Sequence, residues 1–216
     1  MRTRRVSKKL RKIFGRKRQR EISELSTSGI HQAVLRAIAI APALPTSGDH
    51  LDVDSGTWEL LRLLRAHYPF RSFGCDYTDK LLSVPGPEIH TVDLNREPLP
   101  YSDNRFALVT CIETVEHLEN YREVVREIYR VLQPGGVAVF STPNILNLRS
   151  RLRYLSSGFY NLFGPLAPDE SAIHTTRGHI NPVSTLDERN AWVVRAMNSP
   201  QLLLGRTLIV TAVKPA

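Results

Sequence analysis

Apolar residues recur along the chain in two patterns, helical spacing first and then an alternation of short runs with helical segments. Residues 21–44 are predicted to form a helix, because apolar residues recur on one face at Ile30, Val34, Leu35 and Ile38. Beyond this helix the alternation predicts strand–helix–strand units and a parallel sheet. The predicted strands cover residues 51–53, 71–75, 89–92, 106–112, 137–140 and 207–213.

Two further helices are predicted from their end signals. The segment 120–133 begins at Asn120, with Glu123 three positions on as in a capping box, and stops at a Pro-Gly-Gly turn. A later helix is predicted from Thr185 to about residue 197, where Asn-Ser-Pro ends it.

Charge is concentrated at the N-terminus. Residues 1–20 hold 11 of the 29 Lys and Arg residues and no acid, so the rest of the chain has 18 bases against 21 acids. The formal net charge of +8 is therefore a property of this basic arm, and it does not mark the whole protein as a nucleic-acid binder. A solvated arm, a short amphipathic helix on an anionic membrane, a nucleic-acid contact and an organellar transit peptide all stay open.

The composition excludes several classes of protein. Hydrophobic residues make up 42% and charged residues 23%, as in ordinary globular domains. Two cysteines, Cys75 and Cys111, lie in apolar runs, which indicates reduced buried thiols and not a disulfide framework. The longest apolar stretch, 37–44, is too short for a bilayer, which needs about 20 residues. We expect a cytoplasmic protein, with peripheral membrane contact left open.

Acidic residues follow three successive predicted strands. Asp52 ends the first near the turn at Gly56, Asp76 ends the second and Asp93 ends the third. Ligands of open parallel sheets bind outside the carboxyl ends of the strands. A carboxylate such as Asp76 can accept both hydroxyls of a ribose, and one such as Asp93 can accept from a purine amine. Each carboxylate taken alone is more typical of a helix cap or solvated loop.

Five stretches in one order carry a resemblance to a known family: the turn 51–57 with Asp76 and Asp93, the loop 99–109, the Glu-His-Leu step in 113–118, the Pro-Gly-Gly turn in 132–136 and the segment 141–144. Over residues 49–183 the chain resembles the class I S-adenosylmethionine-dependent methyltransferases. The resemblance implies an α/β, Rossmann-like doubly wound fold. Its sheet would be mostly parallel with helices on both faces, and its C-terminal strands would be reduced.

The resemblance implies transfer of a methyl group from S-adenosylmethionine to a small-molecule acceptor. It implies a cofactor site built from Asp52, Asp54, Ser55, Gly56, Asp76, Asp93, Leu94, Cys111 and Glu113. The turn would hold the methionine end, Asp76 the ribose and Asp93 the adenine amine. Glu116 and His117 are the candidate catalytic residues. His117 is either a general base or a helix-capping or packing imidazole.

The glycine-rich turn departs from the family pattern. Gly56 keeps its glycine, but Asp54 and Trp58 occupy the flanking glycine positions. Asp54 places a carboxylate near the expected position of the cofactor's own carboxylate, and Trp58 adds bulk. The alternatives to an active enzyme are therefore a catalytically impaired methyltransferase-like scaffold, or a docking module that works through the basic arm.

The domain organisation follows from these patterns. We predict a basic arm at 1–20, a helix and linker at 21–48 and a methyltransferase-like domain at 49–216, with a substrate lid at about 143–182. Arginines in the lid could grip an anionic acceptor or form a solvated basic face. No metal is predicted, because His174 and His179 with Asp169 and Glu170 fit no standard ligand spacing.

Overall fold

The computed structural model describes residues 28–42, 44–78, 88–160 and 207–215. The basic arm, most of the predicted lid and the helix predicted from Thr185 lie outside these residues. The described elements are α1 (Ser28–Ala39), β1 (Gly48–Val53), α2 (Glu59–His67), β2 (Phe70–Asp76), β3 (Ile89–Thr91), β4 (Phe106–Ile112), a 3₁₀ helix (Val115–His117), α3 (Tyr121–Val131), β5 (Leu132–Pro143), α4 (Leu148–Ser157) and β6 (Thr207–Val213).

The six described strands form one sheet in the order β3-β2-β1-β4-β5-β6. β1 to β5 are parallel to their neighbours, and β6 runs antiparallel to β5. Chain order reverses between β1 and β4, because β2 and β3 extend from one side of β1 and β4 and β5 from the other. Ligands of doubly wound sheets bind at such a reversal. The predicted fold class is confirmed.

Both faces of the sheet are buried. Along β5, Val137 and Val139 pack on one face, and Ala138 and Phe140 pack on the other. Helix α3 covers the face of Ala138, whereas α1 and α2 cover the opposite face. A strand buried on both sides has no polar face, which explains the unbroken apolar run from which β5 was predicted.

Several predicted boundaries differ from the structure; for example, the helix predicted over 21–44 ends at Ala39, and the strand predicted over 51–53 begins at Gly48. α3 ends at Val131, and β5 begins at Leu132, because Leu132 leaves the helical region and pairs with Phe106 of β4. The side chain of Asn120 makes no capping hydrogen bond. The residues just before the helix are held by Asn95, whose Oδ1 accepts the backbone N–H groups of Glu119 and Asn120 at 2.8 and 3.1 Å. The capping box predicted for Asn120 is therefore wrong.

Lys214 fixes the end of β6 to the end of α3. Its ammonium donates to Asn104 Oδ1 and to the carbonyl oxygens of Tyr129 and Leu132, at 2.7, 2.8 and 2.7 Å. Three donors thus meet three acceptors. Two of them are carbonyls at the C-terminus of a helix, where a positive charge is favourable.

Candidate active site

The register of the sheet places four strand ends at one edge. Val53 is level with Cys75 on one side and with Cys111 on the other, and Cys111 is level with Phe140. The residues that follow these positions therefore share the carboxyl edge of the sheet. Asp54, Asp76 and Glu113 are among them, whereas Asp52, which the sequence placed at the end of the first strand, lies inside β1.

The turn after β1 keeps a glycine-like backbone with only one glycine. The φ angles of Asp54, Gly56 and Trp58 are 62°, 51° and 70°. A left-handed φ costs a residue other than glycine about 1–2 kcal/mol, although Asp tolerates it better than most. Asp54 and Trp58 thus adopt left-handed φ angles at the two positions where the resembled family pattern has glycine.

Asp76 braces this turn. Its Oδ2 accepts the backbone N–H of Gly56 at 2.7 Å, and its Oδ1 accepts that of Thr78 at 3.2 Å. Each carboxylate oxygen has a second acceptor position. A Cβ added to Gly56 would meet no atom within 4 Å, so space is open beside the glycine. This open cradle next to a buried carboxylate fits a ligand that carries hydroxyl donors.

Asp52 is turned into the sheet. Its Oδ1 accepts the hydroxyl of Thr110 at 2.6 Å, and Thr110 Oγ1 lies 2.9 Å from His50 Nε2. Burial lowers the pKa of His50 to about 3, so the imidazole is neutral and donates from Nε2 to Thr110. This internal network occupies one oxygen of Asp52. Its predicted contact with a cofactor stays a prediction.

Two carboxyls at this edge are held against ionisation. Burial raises the pKa of Asp54 to about 7, and the neighbouring charge of Asp76 adds to the rise. Burial likewise raises the pKa of Asp52 to about 7, although the Thr110 hydroxyl opposes this. The charged groups that act on both are other carboxyls, and no Lys or Arg is among them. The edge is consequently suited to a positively charged group.

Glu113 and Glu116 form a second acidic pair. Ser141 Oγ donates to Glu113 Oε1 at 2.8 Å, and burial raises the pKa of Glu113 to about 7. The carboxyl of Glu116 is fully buried, and neither of its oxygens makes a hydrogen bond with the described residues. Burial and the nearby Glu113 raise its pKa well above the usual range, which favours the protonated carboxyl, the form that can donate a hydrogen bond.

The other predicted site residues have varied surroundings. His117 is partly buried, and its backbone N–H closes the 3₁₀ helix onto Thr114 O at 2.9 Å. Asp93 Oδ1 accepts the N–H of Asn95 at 3.0 Å and so holds the turn after β3. Leu94 and Cys111 lie in the core under α3. The roles of these residues, and that of Ser55, in binding or catalysis stay predictions.

Sequence reasoning missed the residues that support this edge from inside. His50 and Thr110 lie within apolar strands and show no motif, yet together they fix Asp52. Gly74 of β2 is another, because a Cβ there would lie 2.8 Å from Ser55 Oγ. In the sequence these residues are visible only as a polar residue or a glycine inside an apolar run. Such a position does not show which residue of another strand it will contact.

No metal cluster is found in the described part of the chain. Within residues 28–42, 44–78, 88–160 and 207–215, no three His, Cys, Asp or Glu side chains are grouped so as to hold a metal ion. The four residues weighed as metal ligands, between Asp169 and His179, lie outside these ranges. Among the described helices, none combines the length and apolar character needed to cross a membrane.

Comparison with known proteins supports the methyltransferase resemblance that the sequence motifs carry. Residues 51–140 match the profile of the methyltransferase domain family. The ubiquinone/menaquinone biosynthesis C-methyltransferase UbiE of Desulfotalea psychrophila is 28% identical over 137 residues, which are 59% of this chain and 55% of that protein. The demethylmenaquinone methyltransferase of Listeria welshimeri is 34% identical over 108 residues, 44% of this chain and 46% of that protein.

Two solved structures share the fold. One is a chain of the complex between the Haloferax volcanii Trm112 methyltransferase activator and its methyltransferase, with a TM-score of 0.55, 18% identity, and coverage of 86% of this chain and 89% of that one. The other is YcgJ from Bacillus subtilis, with a TM-score of 0.50, 16% identity, and coverage of 86% and 99%.

These findings confirm the resemblance inferred from the motifs. Residues 51–140 are similar to methyltransferase domains, and the fold is shared with the two solved structures. The chain spans about half the length of the curated relatives it matches.

Proposed function

We propose that this protein transfers a methyl group from S-adenosylmethionine to a small-molecule acceptor. The observation that carries the proposal is the turn after β1. Its left-handed backbone is braced by Asp76 and leaves open space beside Gly56, at the edge where strand order reverses. A doubly wound sheet binds its ligand at this place. The named relatives are methyltransferases, which supports the same reaction.

The charges of the edge suit this cofactor. S-adenosylmethionine carries a sulfonium and an ammonium group, and the charged groups that shift the pKa of Asp54 and Asp52 are carboxyls alone. In the proposed arrangement the turn at Gly56 holds the methionine end and Asp76 accepts from the ribose hydroxyls. Asp93 accepts from the adenine amine, with Leu94 and Cys111 beside it.

When bound, the cofactor would supply an electrophilic methyl on its sulfonium. The protein would then align an acceptor and exclude water. His117, whose ordinary pKa lies near 6.5, is the proposed acceptor of a proton from a hydroxyl, amine or carbon acid. Glu116, which is buried and has a raised pKa, is suited to donate a hydrogen bond and not to take up a proton.

A second candidate is a methyltransferase-like scaffold that does not catalyse. The observation in its favour is Trp58, whose buried indole belongs to neither hydrophobic core and whose Nε1 has no hydrogen-bond partner among the described residues. A bulky ring after the turn, together with the Asp54 carboxyl, would oppose entry of the methionine end.

The basic arm gives a further proposal about partners. Residues 1–20 hold eleven bases and no acid, so the arm suits an anionic membrane surface or a nucleic acid. Replacing the arginines of the arm by serine in the full chain should weaken retention on anionic vesicles or on duplex DNA. Unchanged retention on both would remove this proposal.

Calorimetric titration with S-adenosylhomocysteine tests the main proposal. We expect saturable binding by the wild type, and roughly tenfold or weaker binding by Asp76→Asn, because hydrogen bonds to a charged group are lost. Asp49→Asn is the matched control, since Asp49 lies at the opposite end of β1 and pairs with Arg105.

The titration also separates the two candidates. Absence of heat from the wild type at ligand on the order of 1 mM, with binding restored in Asp54→Gly/Trp58→Gly, would support the scaffold. Equal affinity of the wild type and Asp76→Asn would contradict the proposed site.

A further inference from the structure

Helix α4 carries an apolar strip that points away from the protein. Leu148, Leu152 and Leu155 have the spacing i, i+4, i+7 and therefore fall within an arc of about 60° on the helix surface. The buried residue of this helix, Ser150, lies on the opposite side. We call these three leucines the outer strip.

The outer strip is well exposed. Leu152 is 57% exposed and Leu155 is 82% exposed. Five of the eight large apolar side chains exposed in the described part of the chain lie between residues 148 and 159. Scattered exposed leucines are ordinary, but a contiguous set on one helical face marks an interaction surface.

Arginines flank the strip on both sides. By the same helical geometry Arg151 lies along one side, and Arg149 and Arg153 lie along the other; all three are exposed. Residues 144–160 contain no acidic residue. The exposed Phe159 follows the helix, just beyond the capping Gly158.

Hydrogen bonds cap the helix at both ends. At its start, Asn147 Oδ1 accepts the N–H of Ser150 at 2.8 Å, and both side chains are buried. At its end, Gly158 takes a left-handed φ of 75° and donates to Tyr154 O at 2.8 Å. The strip therefore lies on a helix that is capped at both ends and has Ser150 buried on its other side.

We propose that the outer face of α4 binds the surface of a lipid bilayer that contains anionic lipids. The leucines enter the boundary between headgroups and acyl chains, and the arginines on both flanks bind lipid phosphates while their alkyl stems stay in the apolar layer. Nucleic acid would match the arginines but leave the three leucines in water. An anionic bilayer surface can contact the leucines through its apolar layer and the arginines through its phosphates.

Sedimentation of the full chain with phosphatidylglycerol-containing vesicles tests this proposal. We expect Leu152→Ser/Leu155→Ser to bind roughly tenfold or more weakly, since apolar burial is lost without any change in charge. Ile40→Ser is the matched control, because Ile40 is also 82% exposed but lies after α1. All substituted positions are exposed, so thermal unfolding should confirm that the variants remain folded.

A fluorescent label separates strip insertion from binding through the basic arm. An environment-sensitive dye on Leu155→Cys should brighten with vesicles, whereas the same dye on Ile40→Cys should not. The native Cys75 and Cys111 are fully buried and will not compete for the label. Vesicle binding that the leucine substitutions leave unchanged would overturn the proposal. So would a dye at position 155 that stays dim, or a loss of duplex DNA retention in the leucine variant with vesicle binding intact.

Discussion

Asp54 should destabilise the folded protein once it ionises. Its pKa rises from 3.8 to about 7 on folding, because the carboxyl is removed from water and placed near Asp76. A rise of this size corresponds to about 4 kcal/mol between the two protonation states. Part of this energy belongs to the interaction with neighbouring carboxyls. We therefore expect the ionised Asp54 alone to lower the free energy of unfolding by about 2–4 kcal/mol.

The direction of the pH dependence follows from the raised pKa. Below about pH 4 the carboxyl is protonated in both folded and unfolded chains, so it does not lower the free energy of unfolding. As the pH rises towards about 7, only the unfolded chain releases the proton, so the free energy of unfolding falls. Above about pH 7 the full cost is present. Asp54→Asn removes the charge and keeps a residue that tolerates a left-handed φ.

Urea denaturation followed by circular dichroism measures this effect. We expect Asp54→Asn to be more stable than the wild type by about 2–4 kcal/mol near pH 8, and nearly equal to it near pH 4. Asp49→Asn should show the opposite sign near pH 8, because it loses an ion pair of 3.1 Å with Arg105. A stability difference for Asp54→Asn that is the same at both pH values would refute the reasoning.

Three further predictions concern buried polar groups and thiols. Thr110→Val should lower the free energy of unfolding by about 2 kcal/mol or more, because Asp52 loses its buried hydrogen-bond donor. Urea denaturation checks this prediction. A change below about 0.5 kcal/mol would contradict it. Lys214→Met should lower the free energy of unfolding by about 1–3 kcal/mol in the same assay, since three carbonyl-type acceptors lose their donor. An unchanged free energy of unfolding would contradict a stabilising role of these hydrogen bonds. Cys75 and Cys111 should react with Ellman's reagent at the rate of unfolding, because both are fully buried and burial raises the pKa of each thiol; fast reaction in native buffer would be inconsistent with this.

The sheet was accessible from the sequence because its strands are buried on both faces. Such strands read as short apolar runs, and the turn residues between them mark where each ends. Asp76 could be placed at a strand end for this reason. The left-handed φ angles of Asp54 and Trp58 were not predicted, although the motif marked both as positions where the resembled family has glycine.

Long-range polar partnerships were not accessible in the same way. His50 and Thr110 are 60 residues apart and meet only because β1 and β4 are neighbours at the strand reversal. Asn95 holds the residue before α3 across 25 residues, whereas sequence reasoning looked only for a local cap by Asn120. Short-range rules find partners within a few residues, and these contacts depend on how the whole sheet is assembled.

Amide hydrogen exchange with and without S-adenosylhomocysteine tests the central claim, that the carboxyl edge of the sheet holds the cofactor. Bound ligand should slow exchange in the turn 54–58, in residues 76–78 and in the segment 112–114, and leave α1 unchanged. Saturable binding with no protection at these three segments, or with protection confined to other parts of the chain, would contradict the account.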